Sequence, residues 1–192
     1  KHARALGHPV VLDPVGAGAS RLRTATALRI LDEVRPTLIR GNISEVRTLA
    51  VGTGATQGVD ANAADAVTEE NLAAAADLLR AFAARTGAIV AVTGAIDLVT
   101  DGRDCYAIRN GRTEMGQVTG TGCQLSALLA AAPSDTLAAV AETVALMGTA
   151  GEIAWAQMGA CDGNATYRTR IIDAIYRMTG EELATRMNIK KI

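Results

Sequence analysis

The chain has 192 residues, 49% of them hydrophobic, 20% charged and only 3% aromatic, with a formal net charge of −1. That length accommodates one well-buried domain and is short for two, and the composition belongs to a globular chain and not a disordered one. So small a charge leaves no basic surplus to neutralise a nucleic-acid strand, and no uninterrupted apolar run reaches the length of a membrane span, so neither partner is expected. Three cysteines, Cys105, Cys123 and Cys161, are odd in number and far apart. They fit no disulfide framework and no zinc spacing, which points to a reducing, cytoplasmic setting. His2 and His8 are the only histidines and precede the first convincing strand, which argues against a histidine-based hydrolase.

In chain order, Lys1 to Gly7 reads as a helix tail capped by Gly7. The apolar run Pro9-Val10-Val11-Leu12 fits a buried parallel strand, and Asp13-Pro14-Val15-Gly16-Ala17-Gly18 follows it. An Asp at the carboxyl end of such a strand stands where open α/β sheets place ligand contacts, although it would also anchor a turn before Pro14. Thr24 to Val34 is expected to be a helix with Leu28 and Leu31 on its buried face, stopped by Pro36. Thr37 to Arg40 is the second strand, leading to Gly41-Asn42-Ile43-Ser44-Glu45 and a helix from Glu45 to Ala50. There Asn42 or Ser44 reads equally well as a helix cap, and Glu45 as a first-turn acid.

Val51 to Thr68 reads as a loop or partly mobile insertion, and Glu69 to Arg85 as a helix with Leu72, Ala76, Leu79 and Phe82 on one face. Ala88 to Val92 is the third buried strand and ends in Thr93-Gly94. The period then changes: Asp97 to Thr100 and Cys105 to Ile108 flank Asp101-Gly102 as a hairpin, an antiparallel edge on a mostly parallel sheet. Ser134 and Asp135 are expected to open a long helix running to about Met158. Helices over Ala165 to Met178 and Glu181 to Met187 follow, and Lys190-Lys191 reads as a solvated tail.

The most informative stretch is Gly116 to Ala132. Gly120, Thr121 and Gly122 immediately precede an alanine-rich helical run beginning near Cys123. Closely spaced glycines let backbone N–H groups face outward, and the helix adds its free N–H groups and positive dipole end. The combination favours an anion, a phosphate above all. Three strand ends bring polar residues to the same sheet edge: Asp13, Arg40 to Glu45, and Thr93. Together they offer an anion cradle, two acids able to hold Mg²⁺ through oxygen (Asp13 and Glu45), a cation (Arg40) and a hydroxyl (Thr93), the parts that phosphoryl transfer needs. No Walker-type phosphate loop is present.

The motifs D-P-V-G-A-G-A, I-R-G-N-x-S-E, A-V-T-G and V-T-G-T-G-C occur in this order. The sequence thereby resembles the hydroxyethylthiazole kinases, members of the ribokinase-like group, from about Pro9 onward. The resemblance implies an α/β fold with helices on both faces of a mostly parallel sheet. It also implies Mg·ATP-dependent phosphorylation of 4-methyl-5-(2-hydroxyethyl)thiazole in thiamine salvage, and a homotrimer with sites between subunits. Residue by residue, it makes Arg40 and Thr93 contacts to ATP, with Asn42 beside them. Gly120 becomes a contact to the thiazole, and Asp13 and Glu45 the acids near metal and phosphates. Gly120, Thr121, Gly122 and Cys123 become the anion hole at the transferring phosphoryl group.

Most ribokinase-like kinases resemble G-[AT]-G-D at this point, whereas the thiazole kinases, like this chain, carry Cys. Cys123 is therefore either a thiolate base at a helix N-terminus or a residue lining the pocket. The resemblance further implies early strands upstream of Lys1, so residues 1–192 read as the C-terminal part of one family domain. Two alternatives stand beside the kinase reading: a non-catalytic nucleotide-binding remnant, and a nicotinamide-nucleotide-hydrate dehydratase, whose G-T-G-D differs at Cys123.

Overall fold

Apolar side chains alternate along the strands, and that alternation divides the interior into two cores, one on each face of a six-stranded sheet. The computed structural model describes residues 1–52, 66–132 and 136–192. The strands lie in sequence order: β1 (Val11–Leu12), β2 (Leu38–Asn42), β3 (Ile89–Thr93), β4 (Asp97–Thr100), β5 (Cys105–Ile108) and β6 (Ile189–Lys191). β1, β2 and β3 are parallel, with Val11 opposite Leu38 and Leu38 opposite Ile89, and the remaining pairings are antiparallel. Ile39, Val90, Val92 and Leu98 face one core and Leu38, Ala91, Val99 and Ile108 the other.

Helices α2 (Arg21–Val34), α3 (Ile43–Val51) and α4 (Leu72–Thr86) cover the first face. Helices α5 (Thr121–Ala131), α6 (Leu137–Ala156) and α7 (Asn164–Arg177) cover the second. This is the expected α/β architecture. The short helix α1 (His2–Ala5) ends in a Schellman turn, with Gly7 N–H on the Arg4 carbonyl and His8 N–H on that of Ala3. α2 begins at Arg21, three residues before the expected Thr24, because the Ser20 side chain accepts from Arg23 N–H and caps it there. Leu28 and Leu31 are packed against the core as expected, but the fully buried positions of α2 are Thr24 and Ala27.

Three features add to or alter the expectations. The Lys190-Lys191 tail is strand β6, its backbone paired with β5 while both lysines stay exposed, and it carries the antiparallel edge one strand beyond the hairpin. Lysines on a short outermost strand are a usual defence of a sheet edge, so the residues that look like a tail suit that place. The second concerns α6, which by length and composition is apolar enough to cross a membrane although Glu142 and Glu152 interrupt it, so the expectation of no uninterrupted apolar run stands. Val140, Val144, Met147 and Ala154 on it are buried against the sheet and α7. The third is the 3-10 helix Thr113–Gln117, which no periodicity announced. The loop expected over 51–68 falls for the most part, and the helix opening at Ser134 and Asp135 falls wholly, outside the described residues. Thr136 caps α6 through its hydroxyl. Helix α8 (Gly180–Arg186) follows α7 and leads to β6.

Leu79 on α4 is wholly buried between helix and sheet, while Leu22 on α2 is 77% exposed. Leu79→Ala should cost about 2–5 kcal/mol in denaturant unfolding, and Leu22→Ala within about 0.5 kcal/mol. Equal midpoints for the two variants would contradict this assignment of the core.

Candidate active site

Parallel pairing puts the carboxyl ends of β1, β2 and β3 on one edge of the sheet, where Asp13, Arg40 and Thr93 meet. The Arg40 guanidinium joins all three strands. Nη1 donates to Asp13 Oδ2 at 3.2 Å and Nη2 to Thr93 Oγ1 at 2.9 Å. The pair is largely dry, with side-chain exposures of 12% for Arg40 and 17% for Asp13. Ser126 of α5, a residue that motif reading did not single out, donates its hydroxyl to the same Asp13 Oδ2 at 2.6 Å. Asp13 Oδ1 and Arg40 Nε are buried without a hydrogen-bond partner.

The N-terminus of α5 completes this cluster. Gly120 stands at the N-cap with φ +99°, a conformation that suits glycine, and no side chain caps the helix. The Thr121 hydroxyl turns back to the carbonyls of Val118 and Met115, leaving the first N–H groups to the front. Gly122 lets the helix settle on the cation, because a Cβ there would stand 2.7 Å from Arg40 Nη1. A guanidinium and the positive end of a helix dipole are thus in contact, only partly offset by Asp13. That arrangement creates a strong local demand for an anion.

Beside it opens a cleft of about 500 Å³, lined by Arg40, Thr93 and Asp97 on one side and by Thr121, Gly122 and Leu125 of α5. Asn110 to Thr113, with Met147 and Gly148 of α6, form the far wall. Gly120 and Cys123 do not line this cleft. With about 100° of rotation per residue, Thr121 and Leu125 point one way, Gly122 and Ser126 face Arg40 and Asp13, and Cys123 lies beyond them. Cys123 is exposed there.

Asn42 and Glu45 have a local occupation. They form a capping box on α3, Asn42 Oδ1 accepting from Glu45 N–H at 2.8 Å and Glu45 Oε2 from Asn42 N–H at 3.0 Å. Glu45 Oε1 also accepts from Gly16 N–H at 2.9 Å, which ties the loop after Asp13 to the end of β2. Neither lines the cleft. Among the described residues no third His, Cys, Asp or Glu joins Asp13 and Glu45 in a metal-sized cluster.

Asp97 is another residue that motif reading passed over. Its Oδ1 accepts from Gly94 N–H at 2.8 Å, shaping the turn after Thr93. Loss of solvent pushes its carboxyl up to about 7, against the downward pulls of the Gly94 N–H and the Arg40 charge. The spacing of an Asp three residues after T-G is a turn signal, but its position in the cleft wall is a product of the fold.

The sheet with helices on both faces and an uncapped glycine-rich helix start at its carboxyl edge define a ribokinase-like fold. At the level of fold alone, pyridoxal kinase from Staphylococcus aureus matches with TM-score 0.53 at 19% identity, over 95% of this chain and 61% of that one. A sequence profile of the hydroxyethylthiazole kinase family matches residues 1–181. Hydroxyethylthiazole kinase of Clostridium acetobutylicum is 46% identical over 187 residues, 95% of this chain and 68% of that protein. The solved hydroxyethylthiazole kinase of Pyrococcus horikoshii OT3 superposes with TM-score 0.82 at 31% identity, over 99% of this chain and 68% of that one. The chain belongs to the hydroxyethylthiazole kinase family.

The raised carboxyl of Asp97 gives a signed prediction. Between the ordinary Asp value near 4 and about 7, the folded state holds a proton that the unfolded state has released, so this group's contribution to stability falls as pH rises through that window. Asp97→Asn keeps an acceptor for Gly94 and removes the titration. Its stability relative to the parent should rise between pH 4 and pH 8, by about 4 kcal/mol at most. Parallel stability profiles for the two proteins would contradict the assignment.

Proposed function

We propose that the chain transfers the terminal phosphoryl group of ATP to the primary alcohol of 4-methyl-5-(2-hydroxyethyl)thiazole. The observation that carries this reading is the contact between the Arg40 guanidinium and the uncapped start of α5, at one end of a cleft large enough for a nucleotide. The base and ribose occupy the cleft between Thr93 and the wall at Asn110 to Thr113. The phosphates run to Arg40 and to the N–H groups of α5, and Thr93, whose oxygen already accepts from Arg40, keeps a proton to donate. The alcohol approaches from the flank where Cys123 is exposed, with Gly120 against the ring.

In the reaction the alcohol oxygen bonds to the γ-phosphorus as the bond to the bridging oxygen of ADP breaks, and the hydroxyl proton leaves to Cys123 acting as thiolate, which becomes the thiol. Arg40 and the α5 N–H groups stabilise the charge on the transferring group, where a loose transition state needs most help. Asp13 suits a hard cation, with Oδ2 occupied by Arg40 and Ser126 and Oδ1 without a partner, so Asp13 would hold Mg²⁺, which when bound spreads charge from the phosphates. Glu45, whose two oxygens already accept from Gly16 and Asn42 N–H, would hold the loop beside it in place. The homotrimer with sites between subunits stays part of this proposal on the family resemblance alone.

The test is an assay of the chain with Mg·ATP and the thiazole alcohol, following phosphorylated product by mass. Product above a control without protein is expected. Its absence while ATP still binds would favour a nucleotide-binding remnant, and loss of both would end the phosphate-site reading. Arg40→Lys keeps the charge but not the fork that reaches Asp13 and Thr93 together, so the KM for ATP should rise on the order of 10- to 100-fold. Cys123→Ala should lower turnover and leave ATP affinity near that of the parent, and unchanged turnover would remove Cys123 from the chemistry.

A further inference from the structure

The far wall of the cleft carries no phosphate motif, yet it is held from two directions. Glu152 of α6 accepts at a single oxygen, Oε1, from Gly111 N–H at 2.7 Å and from Asn110 Nδ2 at 3.4 Å. Asn110 reaches the other way: Nδ2 donates to the Arg186 carbonyl at 3.0 Å, and Oδ1 accepts from Asn188 N–H at 2.6 Å. Arg109 N–H adds a bond to the Asn188 carbonyl at 3.0 Å. Beneath the loop α6 presents glycine, and a Cβ on Gly148 would stand 2.6 Å from the Asn110 carbonyl carbon.

Asn110, Gly111, Arg112 and Gly148 all line the cleft. Arg112 lies 5.2 Å from the centre of the Trp155 ring and pairs with Glu114 through two bonds of 2.9 and 3.0 Å. Its place therefore depends on where the two preceding residues are fixed. Glu152 also carries the negative charge of α6 nearest this wall, and that charge acts on Arg112.

We infer that Glu152 is a positioning residue for the nucleotide, its Oε1 clamping the backbone of Asn110 and Gly111 onto α6 so that the cleft keeps the width a base and ribose require. This rests on the cleft being the nucleotide site. Glu152 does not line the cleft and acts through the loop it holds. Without its carboxylate, Gly111 N–H has no acceptor on α6, and the hydrogen bonds that remain to Asn110 come from the β6 side.

The experiment is calorimetric binding of Mg·ATP to the parent chain and to Glu152→Ala, Glu152→Asp and Glu152→Gln, with the melting temperature of each recorded in parallel. Glu152→Ala is expected to bind about tenfold more weakly. Glu152→Asp keeps the charge but falls short by one methylene, and gives the same loss if the Ala variant fails to fold. Glu152→Gln offers one amide oxygen to both donors, and its affinity stays within about threefold of the parent. A purely structural role would lower the melting temperature without moving affinity. Affinities within about twofold of the parent for both the Ala and Asp variants would overturn the positioning role. A parent that does not bind Mg·ATP would overturn the nucleotide reading, and this inference with it.

Discussion

The structure turns on a largely buried arginine that has to satisfy three strands at once. Arg40 reaches Asp13 from β2 on one side and Thr93 on the other, and the start of α5 is seated against its guanidinium. Removing a guanidinium from water is costly, and one carboxylate shared with a serine offsets that cost incompletely. The helix dipole adds positive potential at the same point. The remaining imbalance leaves the sheet edge electrostatically unfinished, which is what a site for a polyanionic ligand requires, and it links stability to ligand binding through the same atoms.

In the proposed reaction the turn of α5 around Arg40 would also separate the two substrates. Thr121 and Leu125 belong to the cleft, Gly122 and Ser126 meet the Arg40–Asp13 pair, and Cys123 opens on the remaining side. A single helical turn would thus give the proposed nucleotide and acceptor separate approaches to one phosphoryl position. Direct transfer between two oxygens in line needs that geometry.

Much of this was legible in the sequence where the signal was local. Three apolar runs gave the parallel strands, the D-G turn gave the hairpin with its boundaries, and the glycines before Cys123 gave the uncapped helix start. Asp13, Arg40 and Thr93 were readable as a group because the carboxyl ends of parallel strands share an edge. Contacts between distant segments were not readable. Ser126 meets Asp13 across 113 positions of sequence, and Asn110 meets Asn188 across 78. Asn42 and Glu45 were open to both a capping and a ligand reading, since a capping box and an acidic site use the same residue types. β6 was missed because a three-residue strand with two lysines has no periodicity of its own, and its pairing partner on β5 fixes it.

The wall of the cleft sits directly on α6 because that helix is bare beneath it. Gly148 leaves room for the Asn110 backbone and Gly151 for the Met115 sulfur, so the floor is drawn by side chains that are missing. An alanine at either position would push the Asn110 backbone or the Met115 side chain off the helix and would not trim empty space, so helix and wall can be altered only as a pair.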